Sequence, residues 1–490
     1  MAELTIWQNG QCKIVAFEGQ PMLMDVLHAA GYLIPHPCGG HGTCGKCAVT
    51  LDGKVSAPNA AERQAGHRLS CQAQLLGDAT VVLPGACADK QIETEIGIIR
   101  TRLCPMPGRY GGAVDIGTTT IAVKVYDLAT GACIGEAACL NSQMAVAADV
   151  MGRIDAACKG NGSYLQKMIL QDIDHLLRTA LTGAEPSVTI DSMVLTGNTT
   201  MLYLLSGFYP SALSHAPFHA EHLFDDETAI LGIPAYLPPC MSAFVGADIT
   251  CAVLASGMCY TDETALLCDI GTNGEIALWK NGTLYVTSTA AGPAFEGALI
   301  SCGCGSVAGA IDKVWLDENQ ICVHTIGNAA PLGICGSGLI DAIATGLQCG
   351  SIDETGALED DTFVLCAGIE LQPQDIRAIQ LAKAAIAAGI ATLTETAGVS
   401  IEEIRTLYIA GGFGSHLNVE SAANIGLIPS ELRSRVKILG NASLAGAVNA
   451  LLNTEQWQQL RHIASTSQHV DLGGNPRFNE NYIEHMLFES

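Results

Sequence analysis

Four cysteines restrict the N-terminal part of the chain more than any other feature. Cys38, Cys44 and Cys47 follow the spacing C-x5-C-x2-C, and Cys71 stands 24 positions after Cys47. Gly39, Gly40, Gly42 and Gly45 are interleaved with the first three. Four thiolates on a glycine-rich loop are the ligand set of a [2Fe-2S] cluster, with two sulfurs for each iron and backbone N–H groups able to approach the bridging sulfides. Tetrahedral zinc is the rival occupant of four thiolates, but zinc sites usually come as two C-x2-C knuckles. His36 and His41 lie in the same loop. Because four Cys complete the set, these histidines read as hydrogen-bonding groups or as a face toward a redox partner.

The flanking residues predict the scaffold. Residues 4–6 and 13–17 are β-prone runs around Asn9-Gly10, a hairpin signal, and residues 21–30 read as a helix closed by Gly31. Residues 47–51 and 54–56 flank Asp52-Gly53 as a second hairpin, and residues 80–83 supply a last strand. A hairpin packed by a helix begins a β-grasp fold, so residues 1–88 are expected to form a ferredoxin-like β-grasp domain. The spacing departs from the plant-type C-x4-C-x2-C and resembles that of adrenodoxin-type ferredoxins.

The remainder is a larger and very different body. A chain of 490 residues, 49% hydrophobic, carries enough apolar material for two or three domains. Its net charge of -25 is uneven: residues 1–88 hold five Lys/Arg against six Asp/Glu, which leaves 19 against 43 for the rest. So acidic a surface repels nucleic acid and anionic membranes, and neither is expected as a partner. The N-terminus carries Glu3 and Asp25 with no basic region before an apolar run, so no signal peptide is expected and the predicted location is the cytoplasm. Residues 381–393 are rich in Ala and Ile but interrupted by Lys383, which predicts a buried amphipathic helix and no membrane span. Of 20 Cys, only the four above form a ligand pattern, and the others read mostly as small core residues.

Cys104-Pro105-Met106-Pro107-Gly108 is a breaker-rich stretch, and residues 89–110 read as a linker. After it comes Val114-Asp115-Ile116-Gly117-Thr118-Thr119-Thr120, and about 150 residues later Cys268-Asp269-Ile270-Gly271-Thr272-Asn273-Gly274. Each places a carboxylate at a strand end before a turn whose Gly and hydroxyl residues can wrap phosphate oxygens. The repetition predicts two related halves, about 111–265 and 266–490. Asp115 and Asp269 can hold a hydrated Mg²⁺ between those halves. A third motif, residues 407–414, runs an apolar strand into Gly411-Gly412-Phe413-Gly414, where missing side chains let an adenosine lie against the backbone. Asp248 is a further candidate, for positioning the attacking water.

The order of these motifs resembles the acetate and sugar kinase/Hsp70/actin superfamily, so residues 111–490 are expected to form a two-lobed α/β ATPase domain. The resemblance implies a phosphate-1 motif at Gly117–Thr120, a phosphate-2 motif at Gly271–Gly274 and an adenosine motif at Gly411, Gly412 and Gly414. Gly336, in Gly336-Ser337-Gly338-Leu339-Ile340-Asp341, falls where that superfamily has its second connecting helix.

The fusion as a whole resembles the reductive activators of corrinoid proteins, through residues 195–201, 291–298, 333–338, 380–383 and 440–442. That likeness implies ATP-dependent reduction of cob(II)amide to cob(I)amide on a methyl-transfer protein, a low-potential electron donor and a homodimer. It also suggests Ser301, in a small-residue loop after Glu296, as a corrin-facing hydroxyl. Two departures stand out: relatives carry a longer linker and a small middle domain, expected here as only a short segment, and some carry C-terminal [4Fe-4S] ligand sets, whereas the last Cys here is Cys366. The competing functions are an activator of a radical dehydratase and a nucleotide-gated module in which the cluster only senses redox state.

Overall fold

The computed structural model describes residues 2–8, 11–32, 34, 40, 42, 47–83, 103–182, 188–318, 320–412 and 416–488. In the N-terminal module, Leu4 and Ile6 alternate with more exposed neighbours along the strand Ala2–Gln8, the period-two pattern of a half-buried strand. That strand pairs antiparallel with Gln11–Phe17 and parallel with Leu75–Val82. Ala48–Val55 and then Arg68–Leu69 complete five strands. Helix Leu23–Ala29 contributes Leu23, Met24, Val26 and Leu27 to the module's core, as a β-grasp requires.

Asp52-Gly53 is not the second hairpin expected from the sequence. Residues 48–55 form one strand against Leu75–Val82, and the register shifts between Gly53 and Val55. Gly53 has φ +110° and lies where a Cβ would come 2.6 Å from the Asp78 carbonyl oxygen, so the Asp-Gly pair makes a bulge inside a strand.

The body is built from two six-stranded sheets with five strands in common arrangement. In the first, Ile233–Leu237, Ser192–Gly197 and Tyr110–Ile116 run parallel, followed by antiparallel Thr120–Asp127 and Ala132–Leu140. In the second, Val436–Gly440, Thr406–Ala410 and Ala265–Ile270 run parallel, followed by antiparallel Gly274–Lys280 and Thr283–Thr289. The sixth strands lie at opposite edges: Asp226–Ile230 in the first sheet and Ser467–His469 in the second. The duplication expected from the two Asp-Ile-Gly-Thr segments is therefore a duplication of whole sheets.

The helices that join the halves are Ala247–Ser256 and Ala442–Leu452. They share one core with the strands of both sheets, through residues such as Ala113, Val253, Leu267 and Val448. Their backbones touch: a Cβ on Gly446 would stand 2.1 Å from the carbonyl oxygen of Cys251. The segment that the resemblance put in this role, Gly336–Asp341, instead begins helix Gly336–Cys349, which packs within the second half against Ala310–Asp317 and Val419–Asn424. Both segments are runs of small residues; only the strands each one follows distinguish them.

Two further segments bear on expectation: the first departs from the linker reading, and the second is the buried helix expected, longer than the apolar run that marked it. Cys104 to Met106, read as linker, is stitched to the body: Cys104 N–H donates to the Leu452 carbonyl, Met106 N–H to Leu451, and Thr454 N–H to Cys104. The apolar run at 381–393 belongs to a 25-residue helix, Pro373–Ala397, long and apolar enough by length and composition to cross a membrane. Of its most apolar window 78% is buried inside the protein, where Ile379, Ile386, Ile390 and Leu393 join the second half's core.

Candidate functional site: a carboxylate-floored cleft and a cysteine loop

Asp115 and Asp269 hold equivalent places, each one residue from the end of its strand. Asp115 lies beside Thr196 on the parallel strand and opposite Ala122; Asp269 lies beside Ala410 and opposite Glu275. The fold turns both strand ends into one cleft of about 280 Å³. Its lining includes Gly117, Thr118, Thr119 and Thr120 from the first turn and Gly271, Thr272 and Asn273 from the second. Asp248, Gly336, Gly411 and Gly412 line it as well. Gly274 is set just behind the turn, beginning strand Gly274–Lys280 with its carbonyl accepting from Thr289 Oγ1. Gly414, like Phe413, lies outside the described residues. Gly411 has φ +92°, and a Cβ there would come 2.7 Å from Asp269 Oδ1, so this turn can pass the carboxylate only as glycine.

Four carboxylates face one another at the cleft floor. Burial raises Asp115, against hydrogen bonds that Asn441 Nδ2 (2.8 Å) and Ser443 Oγ (3.0 Å) donate to it. Burial, with the charge of Asp115, pushes Asp269 up to about 7. Burial, with Asp115 and Asp269, pushes Asp248 up to about 8, and Glu275 is raised well above its ordinary value by burial and by Asp248 and Asp269. Such a cluster is the electrostatic signature of a site completed by a cation. Among the described residues no three His, Cys, Asp or Glu side chains are grouped so as to hold one metal ion directly. Spaced carboxylates of this kind suit a magnesium ion that keeps its own waters.

The titration has a direct consequence. Each of these acids has a folded pKa above its unfolded value, near 3.8 for the three aspartates and 4.5 for Glu275. Its contribution to stability is complete below that unfolded value and is lost as pH rises through the folded one. With chelator present, the melting temperature is expected to fall as pH rises from about 5 to about 9, and Asp248→Asn to flatten the slope. A level or rising melting curve across that window would show that the carboxylates do not titrate in this way.

Several residues at the cleft were not assigned from sequence. Asn198 caps helix Thr199–Ser206 through Met201 N–H and donates from Nδ2 to Thr118 Oγ1 at 3.0 Å. Asn441 caps helix Ala442–Leu452 through Leu444 N–H while holding Asp115, so the helix joining the halves also fixes the first carboxylate. Arg153, fully buried, donates to the Thr118 and Ala147 carbonyls and to Gln143 Oε1, putting a positive charge behind the first turn. Glu296 accepts from Thr119 Oγ1 at 2.9 Å and Thr272 Oγ1 at 2.8 Å. Asn198, Asn441 and Glu296 fall in stretches singled out by resemblance; Arg153 had no local signal.

Of the four cluster cysteines, Cys38 and Cys44 lie outside the described residues, as do His36 and His41. Cys47 and Cys71 are buried with their sulfurs 3.3 Å apart, too far for a disulfide at about 2.05 Å and close enough to share a metal centre. Ser70 N–H donates to the Cys47 carbonyl, and Gln72 Nε2 donates to the Gly40 carbonyl and toward Cys71 Sγ. Those contacts hold the separate cysteine segments against each other. Ser301 does not reach the cleft. It is exposed, and its N–H and hydroxyl donate to Asp375 Oδ1 at 2.7 and 3.0 Å.

A five-stranded β-grasp module with a four-cysteine set, joined to a duplicated two-sheet body whose matched turns meet in one cleft, defines a ferredoxin domain followed by an actin/sugar-kinase-like fold. Comparison with known proteins agrees. The family model for the 2Fe-2S iron-sulfur cluster binding domain matches residues 6–76, that for the RACo middle region residues 110–261, and that for the C-terminal ASKHA domain of RACo residues 263–490. The corrinoid activation enzyme RamQ of Eubacterium limosum is 34% identical over 422 residues, covering 77% of this chain and 70% of that protein. A Methanosarcina barkeri reductase of the Co(II) methylated amine-specific corrinoid protein is 25% identical over 416 residues, covering 76% of each. The solved structure of a reductive activator for a corrinoid, iron-sulfur protein matches with TM-score 0.73 and 27% identity, over 100% of this chain and 98% of that one. The chain belongs to the family of reductive activators of corrinoid proteins. The RACo middle-region match falls on the first half of the body, the residues expected as its first lobe.

Proposed function

We propose that this protein reactivates a corrinoid protein by reducing its cob(II)amide to cob(I)amide, with MgATP in the cleft driving the step. The observation that carries the reading is the convergence of the two Asp-Ile-Gly-Thr turns, the Gly411 turn and the Gly336 helix start on one cleft floored by four carboxylates. The names of the relatives supply the partner's chemistry. Cys38, Cys44, Cys47 and Cys71 hold the [2Fe-2S] cluster, which when bound supplies one-electron transfer at low potential. Asp115 and Asp269 hold hydrated Mg²⁺ from opposite halves, and Asp248 positions the attacking water. Gly117–Thr120 and Gly271–Gly274 grip phosphates, with Gly336 beside them, while Gly411, Gly412 and Gly414 receive the adenosine.

Raising one electron by about 0.3 V requires about 7 kcal/mol, since 59 mV is a tenfold change for a one-electron couple. Nucleotide chemistry supplies that energy through conformation, by favouring one arrangement of the two halves over another. Ser301 meets the partner's corrin from the protein surface, where its backbone N–H and hydroxyl are anchored on the buried Asp375 carboxylate. The reading is completed by a low-potential electron donor, a homodimer and a cytoplasmic setting, with no nucleic acid or membrane as partner.

The test is anaerobic mixing of the protein with a reduced low-potential donor and a cob(II)amide-bearing corrinoid protein. Cob(II)amide EPR and cob(I)amide absorbance are followed with and without MgATP. Reduction is expected only with nucleotide. Equal reduction without ATP, or ATP hydrolysis with no cobalt reduced, would overturn the reading.

A further inference from the structure

Glu296 is in an unusual position for a carboxylate. Its two oxygens each accept a hydroxyl hydrogen bond, Oε2 from Thr119 and Oε1 from Thr272. Those threonines belong to the turns of opposite halves, and their hydroxyls are only 3.4 Å apart. A single side chain from a third segment thus spans the seam at the point where the two turns meet, inside the cleft. Among the described residues no Lys, Arg or His forms an ion pair with it.

A carboxylate that bridges two hydroxyl donors is an anion with the same needs as a phosphate oxygen pair: it is acceptor-only and negatively charged. Threonine hydroxyls have one hydrogen each, so Thr119 and Thr272 cannot donate to Glu296 and to a phosphate at once. Repulsion adds to that exclusion, because the cleft already holds Asp115, Asp248, Asp269 and Glu275. The backbone under Glu296 is fixed. Phe295 is 1% exposed in the second half's core, and Gly297 packs so tightly that a Cβ would lie 2.5 Å from the Cys304 carbonyl oxygen. A change at Glu296 is therefore a rotation of its side chain.

Building on the ATP reading above, we propose that Glu296 is a clamp that stands in for the terminal phosphate, closing the two turns on each other until a nucleoside triphosphate displaces its carboxylate. The clamp makes the site discriminate between nucleotides. A triphosphate reaches the seam and takes over both threonines, and a diphosphate leaves Glu296 in place.

The test measures dissociation constants of a non-hydrolysable ATP analogue and of ADP, with Mg²⁺, on the full chain and its Glu296→Ala and Glu296→Gln variants. Removing the competitor is expected to tighten the triphosphate analogue by about tenfold in Glu296→Ala. Glu296→Gln, which keeps the size but weakens two charge-assisted bonds, should tighten it by a smaller factor. ADP affinity should move less than the analogue's in both. Unchanged or weaker analogue binding in both variants would overturn the clamp, as would equal tightening for ADP. A wild-type chain that binds neither nucleotide would bring down the ATP reading itself, and the clamp with it.

Discussion

Asp269→Ala is expected to lower MgATP hydrolysis by about a hundredfold or more while leaving the iron content unchanged, because it removes one of the two opposed carboxylates that would hold the hydrated metal. The same substitution should not destabilise the metal-free protein at pH 8. There Asp269 is a buried acid whose pKa near 7 reflects burial and repulsion from Asp115, and its charge in turn helps raise Asp248 and Glu275. Taking it away relieves that repulsion, so activity and melting temperature should move in opposite directions. Asp115→Ala should lose as much activity but also stability, since it strands the donors Asn441 Nδ2 and Ser443 Oγ. The checks are a phosphate-release assay and a thermal melt in chelator. Hydrolysis at the wild-type rate in either variant would make that carboxylate structural.

Cys47→Ala or Cys71→Ala is expected to abolish the visible absorption of a [2Fe-2S] centre and all electron delivery, with ATP hydrolysis retained. Both side chains are buried in the β-grasp core, at 1% and 8% exposure. Each substitution opens only a small void there, costing about 1 kcal/mol, so the module should keep its sheet while losing a ligand. The carboxylate-floored cleft is lined entirely by residues from 115 onward, which is why its chemistry should survive. Iron analysis, absorption and EPR on anaerobically purified protein decide the matter. Four irons per chain, or stoichiometric zinc, would refute the assignment.

The two matched turns could be read from sequence because each is a contiguous segment whose residue types follow from what it grips, with a strand-end acid, then a glycine, then hydroxyls. The groups supporting them are scattered. Arg153 reaches the Thr118 carbonyl from 35 positions away, and Asn441 reaches Asp115 across 326. No local pattern encodes such a contact. The same holds for Asp52-Gly53, whose local chemistry is that of a hairpin and whose partner strand, Leu75–Val82, lies downstream. It holds also for the connecting helices. Gly336–Cys349 and Ala442–Leu452 both begin with small residues, and the contact of Gly446 with the Cys251 carbonyl, together with the strand it follows, places the second at the crossing.

The anchoring of Cys104 and Met106 to the end of helix Ala442–Leu452 has a mechanical consequence. That helix shares a core with the strands of both halves, and Cys104 and Met106, which precede the first half, are fastened to its last turn. Any swing of one half on the other carries the fastening point with it. The tether of the N-terminal module and the joint between the halves are thus a single piece of structure.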